Sequence, residues 1–467
     1  MKIRLNYKQC IVWGGYTLFS FCSFVYLMIS ERRVVEYRYI ALLPFVFCIC
    51  NVFCINIHKY LYTNIGLFLL HNVMLVRQVI TPIIMSWAGF KTIYRTISQS
   101  NVDHAVILMS YECCAIYMLL AFILGNKNSK KIKRDSNLIF RKSSSLFNLI
   151  LFMMTAYCLL IWIYIPSSRN LYSTVFEFGD IGFTTVEYNI NSEQVGSLAR
   201  SLQTLFKVFF DIVRLILPMY ILINFKRKKY NPKISIVVGV IFALMQLLFI
   251  SSTTARAIIS AFIIIYFLAR LYPEYTEKII KASIVIAGTI IVVYFIVRFF
   301  VGSRYGDNLA EYLAKILNAY FGGIDNVAAG GNVPEGYGAS TFWASIYSAI
   351  PFNSTLFGLE VVKLQSIYNS SNGSYGQIPP MIVEGEYYFG FVLSPIMSCI
   401  CAIAAYHYGE KYSRTNSPWH LISNLFIAIM CAISIVMYNE EIILVWLLEW
   451  MIPMRVISKI ADKEKKL

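Results

Sequence analysis

The chain has 467 residues, 58% of them hydrophobic and only 14% charged, against roughly 45–50% and about 25% in a soluble domain, and that excess of apolar side chains excludes an ordinary water-soluble fold. The formal net charge of +16 would suit nucleic acid in a polar protein, but in a chain this apolar the placement of the basic residues decides its meaning. All eleven cysteines lie in apolar stretches and none in the long outer segment identified below, which argues against a disulfide-braced outer domain.

With about 20 apolar residues taken as one crossing of the hydrocarbon core, the sequence predicts about twelve transmembrane helices. In chain order they fall near 10–30, 39–57, 61–89, 105–125, 147–166, 203–225, 234–252, 256–271, 280–301, 389–409, 421–439 and 442–458. The basic start and the apolar run from Cys10 imitate a signal peptide, but no small-residue cleavage site follows, so the run reads as the first span. Basic residues near span ends are retained in the cytoplasm. Assigning alternate connections to one side puts 26 of the 41 Lys and Arg on the side of the N-terminus and 11 on the other, with Arg77, Lys207, Arg214 and Arg298 inside spans. Both termini are therefore expected in the cytoplasm. The runs Lys127, Lys130, Lys131, Lys133, Arg134 and Lys226 to Lys229 mark the inner side; topology accounts for them without nucleic acid.

The expected fold is thus an all-α integral membrane protein, a single polytopic domain over 1–467, with outer loops at 167–202 and 303–388, the second between helices 9 and 10. Loops of this length are functional or disordered, and the second carries short amphipathic helices. Leu309, Tyr312, Leu313, Ile316, Leu317, Tyr320 and Phe321 recur on one helical face, which places that stretch on the membrane surface. A glycine-rich hinge from Gly322 to Gly338 follows, and then Phe342, Trp343, Ile346 and Tyr347.

Ionisable residues inside spans are costly to bury and are functional candidates by default. In the sixth span Lys207, Asp211 and Arg214 share one face, a pattern that a structural ion pair would also produce. Arg256, after the hydroxyl-rich run Ser251 to Thr254, joins Arg298 and Arg304 at outer span ends, where a guanidinium fork suits an anionic lipid head and lipid snorkelling is the plainer reading. Of the outer carboxylates, Glu386 in Glu384-Gly385-Glu386-Tyr387-Tyr388-Phe389-Gly390 and Asp325 in the hinge are the candidates for a general base. Trp343, Tyr347, Tyr387 and Tyr388 are placed to stack on sugar rings or to form an interfacial belt. Neither long outer loop contains a histidine, and no metal-binding or ATP-binding motif occurs, so neither a metal nor a cofactor is expected.

The order of these features resembles the Wzy family of O-antigen and capsular repeat-unit polymerases. The matching segments are the turn ending in Arg256 and Ala257-Ile258-Ile259-Ser260, then Tyr320-Phe321-Gly322-Gly323-Ile324-Asp325-Asn326, Gly338 to Trp343, and Tyr387-Tyr388-Phe389-Gly390 before a span, with Arg298 between the first two. Some members carry an Arg followed by ten residues and a Gly in the outer loops; Arg169, Arg200 and Arg304 do not fit that spacing. The resemblance implies a glycosyltransferase of the bacterial plasma membrane that joins undecaprenyl-diphosphate-linked oligosaccharides at the outer face. It also implies membrane lipids, a flippase and a chain-length regulator as partners. In that scheme Arg256, Arg298 and Arg304, with Lys207 and Arg214 in reserve, steady the departing diphosphate, Glu386 or Asp325 is the base, and Trp343, Tyr347 and Tyr387 hold sugar. The competing readings are an O-antigen ligase, which would be expected to use an outer-loop histidine, and a lipid-linked oligosaccharide flippase or other transporter, which would show paired broken helices.

Overall fold

A computed structural model describes residues 7–30, 35–90, 97–125, 138–140, 142–165, 172–173, 197–248, 250–251, 254–283, 285, 309–336, 338–350, 362–374, 376–437 and 439–462. In chain order the helices are α1 (Tyr7–Ile29), α2 (Leu42–Phe53), α3 (His58–Leu61), α4 (Ile65–Leu75), α5 (Thr81–Trp87), α6 (Gln99–Gly125), α7 (Ser145–Tyr164), α8 (Ser197–Arg227), α9 (Pro232–Leu248) and α10 (Thr254–Leu271). Then come α11 (Leu309–Tyr320), α12 (Ile324–Ala328), α13 (Gly338–Ala349), α14 (Leu364–Ser371), α15 (Met381–Leu393), α16 (Ile396–Arg414), α17 (Pro418–Met437), α18 (Glu440–Trp446) and α19 (Ile452–Asp462). Among the described residues the one sheet is a two-residue antiparallel pair, Tyr172–Ser173 with Ile250–Ser251.

Six helices among the described residues are long and apolar enough to cross a membrane: Gln9–Ile29, Ile65–Trp87, Gln99–Gly125, Ser145–Tyr164, Leu205–Arg227 and Pro418–Met437. They coincide within a few residues with the expected first, third, fourth, fifth, sixth and eleventh spans. Two more are bent: Leu42–Phe53 turns by 69° into Ile55–Leu61, and Met381–Leu393 turns by 105° into Ile396–Arg414. The expected second and tenth spans are therefore broken helices. The second of these breaks has a local cause. Gly390 adopts φ 75° and ψ 171°, a region that L side chains avoid, and Pro395 then supplies no backbone N–H to continue the ladder. The seventh and eighth expected spans correspond to shorter apolar helices, Pro232–Gln246 and Ile259–Leu271. The ninth lies almost wholly outside the described residues.

The contacts divide the chain into two compact units. The first comprises 1–134, 298–413 and 427–446. Its core joins the apolar helices to the segment expected as the long outer loop: Ala314, Ile324, Val327, Ala328, Ile382 and Val383 pack with Tyr37, Leu43, Met85, Phe90, Val102, Val106 and Met109. All five residues of α12 are buried, and α12 lies along α6 while α11 lies along α5. The buried face of α11 is Glu311, Ala314 and Asn318, and the apolar stripe read from the sequence stays half-exposed. A helix whose small and polar face meets protein and whose apolar face is left outward is suited to the lipid boundary.

The helix run Ile65–Trp87 is interrupted by a π turn at Val76–Ile80. Pro82 stands just beyond it; a proline inside a helix lacks the N–H and crowds the carbonyl four residues back, and the wider turn relieves that crowding. The Thr81 hydroxyl donates to Val76 O at 2.9 Å, the carbonyl that also accepts the Thr81 N–H to close the wide turn. Asn64 starts α4 by accepting the Leu67 N–H at 3.1 Å.

The second unit comprises 135–297, 414–426 and 447–467. Here α9 and α10 form a tightly packed pair, α8 contacts both, and α7 packs against α8 and α19. Ser144 caps α7 by accepting the Phe147 N–H at 3.1 Å. Phe147 meets Trp419 with ring centres 4.6 Å apart, and Arg455 donates to Asn424 Oδ1 at 2.7 Å.

Candidate functional site

The densest polar structure of the first unit is inside the helix bundle. Arg77, on the π turn, donates from Nη1 to Glu112 Oε2 at 2.5 Å and from Nε to the Gly322 carbonyl at 2.9 Å. The Ser398 hydroxyl donates to the other Glu112 oxygen. Arg77 and Glu112 are both fully buried. π turns favour functional positions because they re-aim a side chain that a regular helix would point elsewhere. The segment after α11 meets this pair through a close turn: Gly322 has φ 52°, and a Cβ there would stand 2.9 Å from Val436 O. No other residue type fits that place without displacing backbone. The pair thus ties α6, α16 and the interrupted Ile65–Trp87 helix to the start of the hinge.

Beyond the turn, Asp325 is completely buried. Its Oδ1 accepts the Tyr37 hydroxyl at 2.6 Å, and its N–H donates to Asn318 Oδ1 at 3.2 Å. Asn326 is held by Tyr368, whose hydroxyl donates to Asn326 O at 2.7 Å. The hinge from which Asp325 was a candidate base folds it fully into the core, because Ile324, Val327 and Ala328 around it are apolar and carry it inward. In this environment Asp325 holds the hinge against the turn Val35–Tyr37.

Glu386 has the opposite setting. Its Oε1 is 2.7 Å from His104 Nε2, with side-chain exposures of 27% for Glu386 and 47% for His104, so the pair is reachable. His104 sits near the start of α6, the end that the charge pattern assigns to the outer face. Around it Tyr111 stacks on Phe391 at 5.3 Å, and Tyr111 donates to Val392 O at 2.8 Å. Tyr387 donates to Pro334 O at 3.3 Å. Trp343 and Tyr347 on α13 are 56% and 46% exposed, and α13 packs on α15 and α18. An imidazole–carboxylate pair that solvent can reach can accept a proton from a bound hydroxyl group.

Two residues earlier on α15, Glu384 faces inward. Its Oε2 accepts the backbone N–H of Glu440 at 2.7 Å, at the first turn of α18. Burial raises the Glu440 carboxyl to about 7, against hydrogen bonds from Tyr388 and Ser345 that favour the charged form. The neighbouring Glu441 is held by Lys363 Nζ at 2.5 Å.

Of the five cations named as diphosphate ligands, Lys207 and Arg214 lie on α8 in the second unit. Arg214 Nε is 3.2 Å from Asp211 Oδ1, and its guanidinium lies 5.9 Å from the Trp450 ring centre. The structural reading of that motif, an ion pair within one helix, is what forms. Arg256 begins α10, and its side chain is outside the described set, as are Arg298 and Arg304 altogether. Among the described residues no group of three or more His, Cys, Asp or Glu is placed to hold a metal ion.

Sequence reasoning passed over Arg77, Glu112 and His104. The rule that picked out Lys207, Asp211 and Arg214 applies equally to Arg77 and Glu112, which are ionisable and lie within apolar helices; their separation of 35 residues hides the pairing. A count of loop histidines misses His104 because it lies on a helix and reaches the outer segment only by folding. No protein-family profile matches this chain, and comparisons with characterised proteins and with solved structures find no match either.

Proposed function

We propose that this chain is a Wzy-type polymerase of undecaprenyl-diphosphate-linked oligosaccharide repeat units, acting at the outer face of a bacterial plasma membrane. The observation that carries the reading is the accessible His104–Glu386 pair, with Phe391 at 6.1 Å from the His104 ring and Tyr387 next to Glu386 in the chain. The same pair favours Glu386 over Asp325 as the base and adds His104 to it. A hydroxyl of the incoming unit loses its proton to this pair while its oxygen attacks the anomeric carbon of the growing chain. The bond from that carbon to the diphosphate breaks, and the lipid diphosphate leaves with the electron pair. Arginine side chains stabilise the leaving charge, and Arg298 and Arg304 of the first unit are the candidates for that role. The product is O-antigen or capsular polysaccharide.

Two other readings each draw on one feature. Broken helices with exposed backbone ends are a habit of transporters, and Leu42–Leu61 and Met381–Arg414 favour a lipid-linked oligosaccharide flippase to that extent. His104 supplies an O-antigen ligase with the outer histidine that its loops lack. The size profile of surface polysaccharide in a deletion strain separates all three. Loss of the ladder with single repeat units retained at the surface supports polymerisation. Repeat units trapped on the cytoplasmic side indicate the flippase, and full-length chains retained on the lipid carrier indicate the ligase.

A further inference from the structure

A buried acidic pair of the first unit takes no part in the scheme above. Glu384 on α15 and Glu440 at the start of α18 are 1% and 4% exposed. The Glu384 carboxyl accepts the Glu440 N–H at 2.7 Å, and the two side chains are near enough to repel each other when both are charged. The groups around them come from every neighbouring element. Tyr388 on α15 and Ser345 on α13 face Glu440, with their hydroxyl oxygens 3.4 Å apart, and Asn439 faces Glu384. Glu441, next on α18, is held by Lys363. Helix α6 also packs on α15, but its His104 is engaged with Glu386. Among the described residues, therefore, no cation pairs with Glu384 or Glu440.

A carboxyl group buried without a cation is held in its neutral form, and two within mutual reach cannot both ionise in place. Burial raises Glu440 to about 7, so the packing that buries it is favoured at low pH and loses that support as pH rises through neutrality. Once ionised, the pair must be reached by water, and one of the helices enclosing it has to yield. Ile382 and Val383 anchor α15 in the core, and α18 ends on the buried Trp446. By contrast, the buried side chains of α13 are all small: Thr341, Ala344, Ser345 and Ala349. A segment with few buried apolar contacts opens locally at low cost. We infer that Glu384 and Glu440 form a pH switch whose ionisation releases α13 from α15 and α18. Helix α13 carries the exposed rings of Trp343 and Tyr347, so the switch sets where those rings stand. It is independent of the reading of Glu386 and His104.

The test is hydrogen exchange, read by mass spectrometry on the full chain in detergent at pH 6 and pH 8, with each rate divided by the intrinsic rate of the same peptide at that pH. Opening that takes one carboxyl from about 7 back to 4.5 becomes about tenfold more favourable over that interval. Protection within 338–349 should fall by about that factor while α6 keeps its protection, and Glu440→Gln, which fixes the neutral form, should keep α13 protected at both pH values. Equal protection of α13 at pH 6 and pH 8 would overturn the switch. So would an equal loss in α6, which would mark a general loss of stability, or a fall that persists in Glu440→Gln. The comparison of α13 with α6 in the wild type decides the matter even if the variant does not fold.

Discussion

The two units each bury an ion pair built from an arginine and a carboxylate, and the pairs differ in what they connect. Asp211 and Arg214 are three residues apart on one helix, so the pair forms as soon as α8 does and adds little information about the rest of the fold. Arg77 and Glu112 come from different helices and also hold the Gly322 carbonyl and the Ser398 hydroxyl. That pair joins two helices, and its full set of hydrogen bonds forms only when four segments have met. Ion pairs of similar composition therefore have different roles: the first neutralises charge within one helix, and the second fixes the docking of the turn at Gly322.

Substitution should expose this difference. Removing one partner of a buried pair leaves the other charge uncompensated, at about 3–5 kcal/mol. Arg77→Met or Glu112→Gln should accordingly cost that much or abolish folding, read as melting temperature and yield in detergent, and the double change to Met should cost less than the sum of the single ones. Asp211→Asn should cost less, about 1–3 kcal/mol, because Arg214 retains its place over Trp450. Equal losses at the two sites would remove the distinction.

Within the first unit, Glu440 gives a finer test. Its carboxyl is raised from 4.5 to about 7 by burial, so the neutral form fits the fold. The stability it contributes is fully present below about pH 4.5 and is lost as pH rises through about 7. The groups facing it are Glu384, Tyr388, Ser345 and Glu441 with its partner Lys363. Glu440→Gln should flatten the fall in melting temperature between pH 5 and pH 8; an unchanged slope would assign that fall to other groups. The smallest effect on stability is expected at His104. His104→Ala, on a half-exposed side chain, should shift stability by about 0.5 kcal/mol or less while lowering chain elongation strongly.

The same contrast explains what the sequence reveals. Apolar length located the straight spans closely, because about twenty apolar residues have little alternative in a membrane protein. It passed over the bend at Gly390, since glycine, serine and proline within an apolar run do not interrupt its hydropathy. The local motif Lys207, Asp211, Arg214 was legible from spacing alone. Pairings over distance were not: His104 and Glu386 are 282 residues apart, and Asp325 looks like a loop carboxylate until Tyr37 and the apolar face of α12 bury it. Glu386 could be selected because it lies among tyrosines at the edge of a span, but its histidine could not.

In the proposed function, His104 and Glu386 remove the proton from the attacking hydroxyl. The most direct measurement is elongation by the purified protein in liposomes supplied with lipid-diphosphate-linked repeat units, comparing wild type with Glu386→Gln. The account predicts that the wild type forms longer chains and frees lipid diphosphate, and that Glu386→Gln, with an unchanged melting temperature, does so about a hundredfold or more slowly. Elongation by Glu386→Gln at the wild-type rate, or no elongation by the wild type, would contradict it.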